Sequence, residues 1–249
     1  MVEVNPAAFS TGADQPQFFK LRVQRDTLVV SFHGPRPVAS WAVVNGGMGT
    51  QVSHIINHHV HPQTQFENPA KTLRQAASRV GLKGTFVAMM TGADIRKFSS
   101  ASAAHNGLQV YVVSTAGCGN LATVGETGAY IEPRAGKIPT GTINIIAAVN
   151  YGFTQEAMLE AMAIITEAKV RALYEIGLKS AATGEPATGT GTDCIAFAAG
   201  HERRYVFCGK HTKWGELVGR ASLESVRGAL RATNPGDAGE RAPNARSGV

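Results

Sequence analysis

The sequence predicts an α+β fold: a layered α/β sandwich of mixed, mostly antiparallel sheet with two long flanking helices. Three observations carry this reading. Short apolar runs bounded by Gly, Pro, Asn and Asp recur along the chain and read as strands. Two long stretches, 155–176 and 213–231, carry apolar residues at helical spacing instead. Strands and helices do not alternate regularly, which disfavours a barrel or a doubly wound sheet.

The elements follow in order. Residues 18–23 and 28–32 form an N-terminal hairpin across Gln24-Arg25-Asp26. A turn at 33–37 leads to a third strand, 38–44, which ends in Asn45-Gly46-Gly47, where glycines let a ligand approach the backbone. Residues 51–65 hold His54, His58, His59 and His61. On a helix His54 and His58 lie one turn apart, as do His58 and His61. No zinc-protease glutamate accompanies them, so a solvated, partly helical cluster without metal is the expectation. Asn68 caps a helix with Pro69 in its first turn, and Gly81 closes it. Strands follow at 84–91 and 108–115, and 95–104 fits helix or strand equally. The second strand enters a small-residue loop ending in Asn120. The glycine-rich stretch 123–139 reads as a pocket rim or lid, and 142–149 as a buried strand interrupted by Asn144. Thr154 caps the longest helix, with Met158, Ala161, Ile165, Ala168, Ala172 and Ile176 as its buried stripe and Glu167 paired to Arg171. Runs 194–199 and 205–208 read as a hairpin, and Thr212 caps the last helix.

Composition narrows the class. At 43% hydrophobic and 17% charged, 249 residues can bury a core. Residues 16–231 read as one domain, 1–15 as a flexible N-terminus and 232–249 as a disordered tail. The net charge of +6 is scattered or sits in the tail, so no nucleic-acid footprint is expected. Three widely spaced cysteines form no disulfide framework and suit a reducing compartment. The N-terminus lacks a signal-peptide pattern and no apolar run approaches the ~18 residues of a span, so a cytoplasmic protein without membrane partner is expected. A homo-oligomer is left open.

The candidate centre is 184–216. A loop of Thr188, Gly189, Thr190, Gly191 and Thr192 enters Asp193; Lys210, His211, Lys213 and Glu216 follow at the start of the last helix. Neither a P-loop, a Rossmann fingerprint nor a GxSxG elbow is present, which disfavours standard nucleotide binding and an ordinary serine hydrolase. If 194–208 is a hairpin, Asp193 and His211 meet at one sheet end, where the acid orients an imidazole that moves protons. N–H groups of Thr190–Thr192 would then stabilise an oxyanion and Lys210 or Lys213 would assist, with Glu167 and Glu216 as further catalytic candidates. The set suits amide or ester hydrolysis. The bland alternative is that Asp193 caps its own loop and His211 lies in a solvated turn.

At these residues the sequence resembles the adenosylcobinamide amidohydrolase (CbiZ) family. The matching text is GTINIIAAVNYGFTQEAMLEAMAIITEAKVRALYEIG from Gly141, ATGTGTD from Ala187 and GKHTKWGELVGRA from Gly209. Weaker matches are SWAVVNGGMG from Ser40, MMTGAD from Met89 and STAGCGN from Ser114. The resemblance spans roughly residues 18–230, and TGTGTD together with KHTKxGE is its specific part. It implies corrinoid salvage: cleavage of the amide joining the aminopropanol arm to the corrin ring, giving adenosylcobyric acid. Remodelling of complete cobamides is a variant of that activity. The partner implied is a corrinoid whose cobalt belongs to the substrate, with no cofactor required of the protein. Asn45, Asn120 and Asn144 are expected to meet the amide fringe of the ring, and Gly46 and Gly47 to let it come close. A corrinoid-binding protein without catalysis and a nucleotide-dependent transferase are the alternatives.

Overall fold

The structure, a computed structural model, describes residues 2–3, 18–61, 68–128 and 141–234. The expectations for 1–15, the 123–139 rim and the 232–249 tail therefore lie largely outside the described residues. Strands β1 (Val2–Glu3), β2 (Phe19–Gln24), β3 (Thr27–Ser40) and β4 (Gly47–His59) pair antiparallel in succession. Arg25 and Asp26, both at positive φ, make the tight turn expected between β2 and β3. The turn expected at 33–37 is instead a register shift inside β3, between Ser31 and Arg36. Pro35 and Pro37 have no N–H to donate, so ladder pairing lapses there while the chain stays extended.

The histidine stretch is a strand and not a helix. Its β-branched Val52, Ile55 and Ile56 are fully buried, and β4 lies between β3 and the parallel strand β5 (Phe86–Thr91). Pairing on both sides overrides the local one-turn spacing of the histidines. Before β5 comes α1 (Pro69–Arg79), capped by Asn68, whose side chain accepts from Lys71 N at 3.0 Å. The ambiguous segment after β5 divides into a 3-10 turn, Ile95–Lys97, and strand β6 (Ser99–His105). Strands β7 (Leu108–Ala116) and β9 (Ile143–Val149) continue the sheet, with the short β8 (Leu121–Ala122) between them in sequence.

The expected 194–208 hairpin does not form. Strand β12 (Cys194–Ala198) lies between β3 and β9, antiparallel to the first and parallel to the second. Both its edges are thereby taken, and β13 (Arg204–Tyr205) pairs with β10 (Gly152–Phe153) instead. Six of the eight pairings in the large nine-stranded sheet are antiparallel, so it is mixed and mostly antiparallel as expected.

This sheet folds over itself. Phe19 of β2 packs edge-on against Tyr111 of β7 at 5.7 Å, although three strands separate them in the ladder. The strand pleat sorts the core accordingly. Val30, Ile55, Val87, Tyr111, Ile146 and Ala196 fill the space between the two halves. Val29, Ile56 and Ala88 face α1. Ile145, Ala147, Ile195 and Phe197 face the two long helices, α2 (Gln155–Ile176) and α3 (Lys213–Thr233). The result is the layered α+β sandwich with two long flanking helices.

Helix α2 has the expected bounds, with Thr154 accepting from Ala157 N and Gly177 ending it at φ 78°. The expected Glu167–Arg171 pair gives way to Arg171–Glu175 and Lys210–Glu167. Helix α3 runs two residues past the expected end. Thr233 Oγ1 donates to Ala116 O at 2.8 Å and Asn234 Nδ2 to Cys118 Sγ at 3.2 Å. Truncation after Arg231 is therefore expected to cost about 1–2 kcal/mol relative to truncation after Asn234. Urea unfolding of the two truncated chains checks this, and equal midpoints would refute it.

Candidate functional site

Parallel β9 and β12 begin at the same end of the sheet, and antiparallel β3 and β7 finish there. That end gathers Asp193, the Thr188–Thr192 loop, Asn144 and Asn120, and the arch after β3 reaches it through Trp41. Within the loop, β11 (Gly189–Thr190) pairs antiparallel with β8, which braces it. Thr188 Oγ1 accepts from Val124 N at 2.8 Å.

At the mouth of β12 the Asp193 side chain turns toward α2 and is only 8% exposed. Its Oδ1 accepts from Ile143 N at 3.0 Å and from the Thr190 hydroxyl. Its Oδ2 accepts from Thr190 N at 3.0 Å and from Lys169 Nζ in a tight ion pair. Lys169 is 10% exposed, so this pair is buried on both sides. A buried carboxylate is tolerated when it is paired and hydrogen-bonded in this way. Four donors saturate it and tie loop, β9 and α2 together, so its first role is to hold the loop and the ammonium in place.

The neighbouring hydroxyls are equally committed. Thr142 Oγ1 donates to Thr192 O at 2.7 Å, with Asn144 Oδ1 3.2 Å away. Thr192 Oγ1 donates to Gly141 O at 3.0 Å. Of the loop N–H groups expected as oxyanion donors, Thr190 N serves Asp193, and Thr192 N leans on Thr190 Oγ1 at 3.4 Å. Gly191 is the exposed residue of the loop. Asn120 lies between two glycines: a Cβ on Gly191 would sit 3.7 Å from its Nδ2, and one on Gly141 would overlap its Oδ1.

Asn144 is a satisfied core amide. Its Nδ2 donates to Asn57 Oδ1 at 2.8 Å and Met90 O at 2.9 Å, and Asn57 passes a further bond to Thr115 Oγ1. Asn45 is exposed at φ 55°, and its Nδ2 folds back to Phe86 O at 2.9 Å. Gly46 has no room for a side chain, since a Cβ there would lie 2.6 Å from Ala42 O. Cys194 and Cys118 stand nearby, but burial pushes the Cys194 thiol up to about 12 and raises Cys118 as well. Both are thiols at neutral pH and poor nucleophiles.

The second half of the expected centre is elsewhere. Lys210 pairs with Glu167, Lys213 pairs with Glu216, and all four are exposed. Glu167 and Lys169 are two residues apart on α2, about 200° around its axis. Lys169 faces the sheet, so Glu167, Lys210 and the exposed His211 lie on the solvent side of the helix layer. His211 is not a partner of Asp193: the four donors named above occupy the carboxylate, and the hairpin that would have joined the two residues is absent.

Lys169 and Trp41 are residues that sequence reasoning missed. Lys169 follows Ile165 by four and precedes Ala172 by three, which places a lysine on an apolar stripe. That conflict was a readable signal. Trp41 Nε1 donates to Asp193 O at 2.7 Å, and nothing in the local sequence foretells it. The histidines of β4 are engaged locally: His54 with Ser31 and Lys83 O, His58 with Thr27, His59 with Ala93 O. Among the described residues no group of three or more His, Cys, Asp or Glu is placed to hold a metal ion. A cavity of about 450 Å³ opens at the other end of β12, lined by Pro37, Phe153, Glu156, His201 and Arg204 among others. None of the catalytic or substrate-binding candidates named from the sequence lines it.

Fold and site define a layered α+β protein with a polar centre, built on one buried ion pair, at the strand mouths of its sheet. The chain belongs to the adenosylcobinamide amidohydrolase family, CbiZ, whose family model matches residues 11–238. The uncharacterized protein MJ1613 of Methanocaldococcus jannaschii is 33% identical over 227 residues, covering 82% of this chain and 85% of that one. Among solved structures, the PH0078 protein of Pyrococcus horikoshii aligns over 90% of this chain and 80% of its own, at 11% identity and TM-score 0.39. The L-aminopeptidase D-Ala-esterase/amidase of Ochrobactrum anthropi, a variant of the Ntn hydrolase fold, aligns over 87% and 82%, at 12% identity and TM-score 0.37. No helix among the described residues is long and apolar enough to cross a membrane.

Proposed function

We propose that the protein hydrolyses the amide between the aminopropanol arm and the corrin-ring propionate of adenosylcobinamide, giving adenosylcobyric acid. Membership of the CbiZ family is the observation that carries this reading. The buried Asp193–Lys169 pair, beside a Gly-Thr loop whose Gly191 is exposed, supports a chemical centre for it. Water adds to the amide carbonyl, negative charge collects on the carbonyl oxygen, and the C–N bond breaks as the amine takes a proton. Lys169 is the charge that favours the oxyanion, helped by the Gly191 N–H and the Asn120 amide. Asp193 is a positioning residue that keeps the ammonium and the loop in register. The exposed His211, Lys213, Glu216 and Glu167 have no part in this step, and Lys210 is tied to Glu167. The protein contributes no metal; cobalt arrives with the substrate.

Purified protein given adenosylcobinamide without nucleotide, in a strong chelator, is expected to release aminopropanol and form adenosylcobyric acid by mass spectrometry. Intact corrinoid with bound, folded protein would identify a binder instead. Turnover only with a nucleoside triphosphate would identify a transferase. Activity lost to the chelator and restored by added metal would overturn the metal-free centre.

A further inference from the structure

The exposed apolar side chains fall in separate places. Leu159, Val206 and Phe207 belong to α2 and the approach to α3, on the helix side. Trp41 and Val43 stand on the arch after β3, at the Asp193 end, and are 52% and 56% exposed. Val124, 81% exposed, is held to the opposite flank of the Gly-Thr loop through its N–H to Thr188. A polar floor thus has apolar groups on two sides.

Trp41 is open to solvent and also fixed. Its indole N–H donates to Asp193 O, and Ser40 Oγ donates to Ile195 O at 2.8 Å while accepting from Ala42 N at 3.0 Å. The arch is therefore tied to β12 through Ser40 and to Asp193 through the indole itself, and Ala42 is tied back to Ser40. A ring already held in place loses little freedom when a ligand stacks on it. The indole's polar edge is satisfied by the site's own backbone, which leaves its apolar surface for a partner.

We propose that Trp41 is a specificity-determining residue: a fixed platform on which the broad apolar face of the corrin ring rests while the amide arm reaches the Asp193–Lys169 floor. This rests on the corrinoid reading above. The platform sets affinity for the ring and leaves the chemical step to the floor. A substrate without a broad apolar face gains nothing from it.

The test is titration of adenosylcobinamide by visible absorbance, with steady-state turnover, for the natural protein, Trp41→Ala and Trp41→Phe. Trp41→Ala is expected to raise Kd and KM about tenfold or more, as for loss of a large aromatic contact, with kcat within about twofold. Trp41→Phe keeps a ring but loses the N–H to Asp193, and is expected to hold Kd within about threefold. Unchanged Kd in Trp41→Ala would overturn the platform. So would a fall in kcat with KM unchanged in both variants, because Trp41 would then act through Asp193. Failure of the natural protein to bind any corrinoid would instead remove the functional reading beneath it. Thermal melts confirm folding, and should Trp41→Ala be unfolded, Trp41→Leu, apolar but not flat, takes its place with the same expected loss.

Discussion

Lys169→Met is expected to destabilise the protein by about 3–5 kcal/mol and to cut turnover by about a hundredfold or more. The substitution keeps the apolar stem packed in α2 and removes the ammonium. Asp193 is then left with a carboxylate that is 8% exposed and has lost its counter-charge. Removing one partner of a buried pair costs more than removing both, because the remaining charge has no solvent. Lys169→Met/Asp193→Asn should therefore recover most of the lost stability. It should not recover turnover, since the charge that favours the oxyanion is still missing. Urea unfolding and aminopropanol release, measured on both single variants and the double, separate the two effects. A coupling energy near zero would mean that the pair is not the structural unit seen here. A Lys169→Met variant with normal turnover would end its catalytic assignment.

Gly189→Ala probes the same floor by steric means. A Cβ at this glycine would overlap the Asp193 carboxylate and stand 2.7 Å from Lys169 Nζ. The carboxylate cannot simply retreat, because Ile143 N and Thr190 hold it from other sides. Overpacking of this kind costs about 1–3 kcal/mol, or roughly 2–10 °C in Tm for a domain of this size. Displacing the ion pair should lower turnover about a hundredfold, as losing an oxyanion-stabilising group does. Gly191→Ala is the control: its added carbon meets nothing closer than 3.7 Å, and stability should hardly change. Melting curves in which the two variants match would show that the floor yields easily, contrary to this account.

The outcome at 184–216 shows how far a sequence pattern reaches. The loop 188–192 entering Asp193 lies at the strand mouths of β9 and β12, with Asn120 and Asn144 beside it, while Asn45 reaches only Phe86 at the start of β5. The partner assigned to Asp193 from the sequence was His211, through a hairpin that does not exist. Two apolar runs joined by a polar turn look like neighbours, but β12 is claimed on both edges by β3 and β9. The histidine stretch departs from its expected partial helix for a related reason. Four histidines at near-helical spacing say nothing about the two strands waiting to pair with them.

Local signals were sufficient wherever the stabilising contacts are local. Asn68 with Pro69, Thr154 with Gly177, Thr212, and the Arg25-Asp26 turn each act within about a turn of the backbone they control. These contacts can be read one window at a time, and they set the two long helices and the first hairpin. The folding of the sheet onto itself, the placement of β12 and the union of Lys169 with Asp193 depend on contacts between distant segments. Lys169 and Asp193 are 24 residues apart, and Trp41 reaches the Asp193 carbonyl across 152. Their meeting is decided by which strands find edges and which helix face is buried, and no single stretch of the chain carries that information.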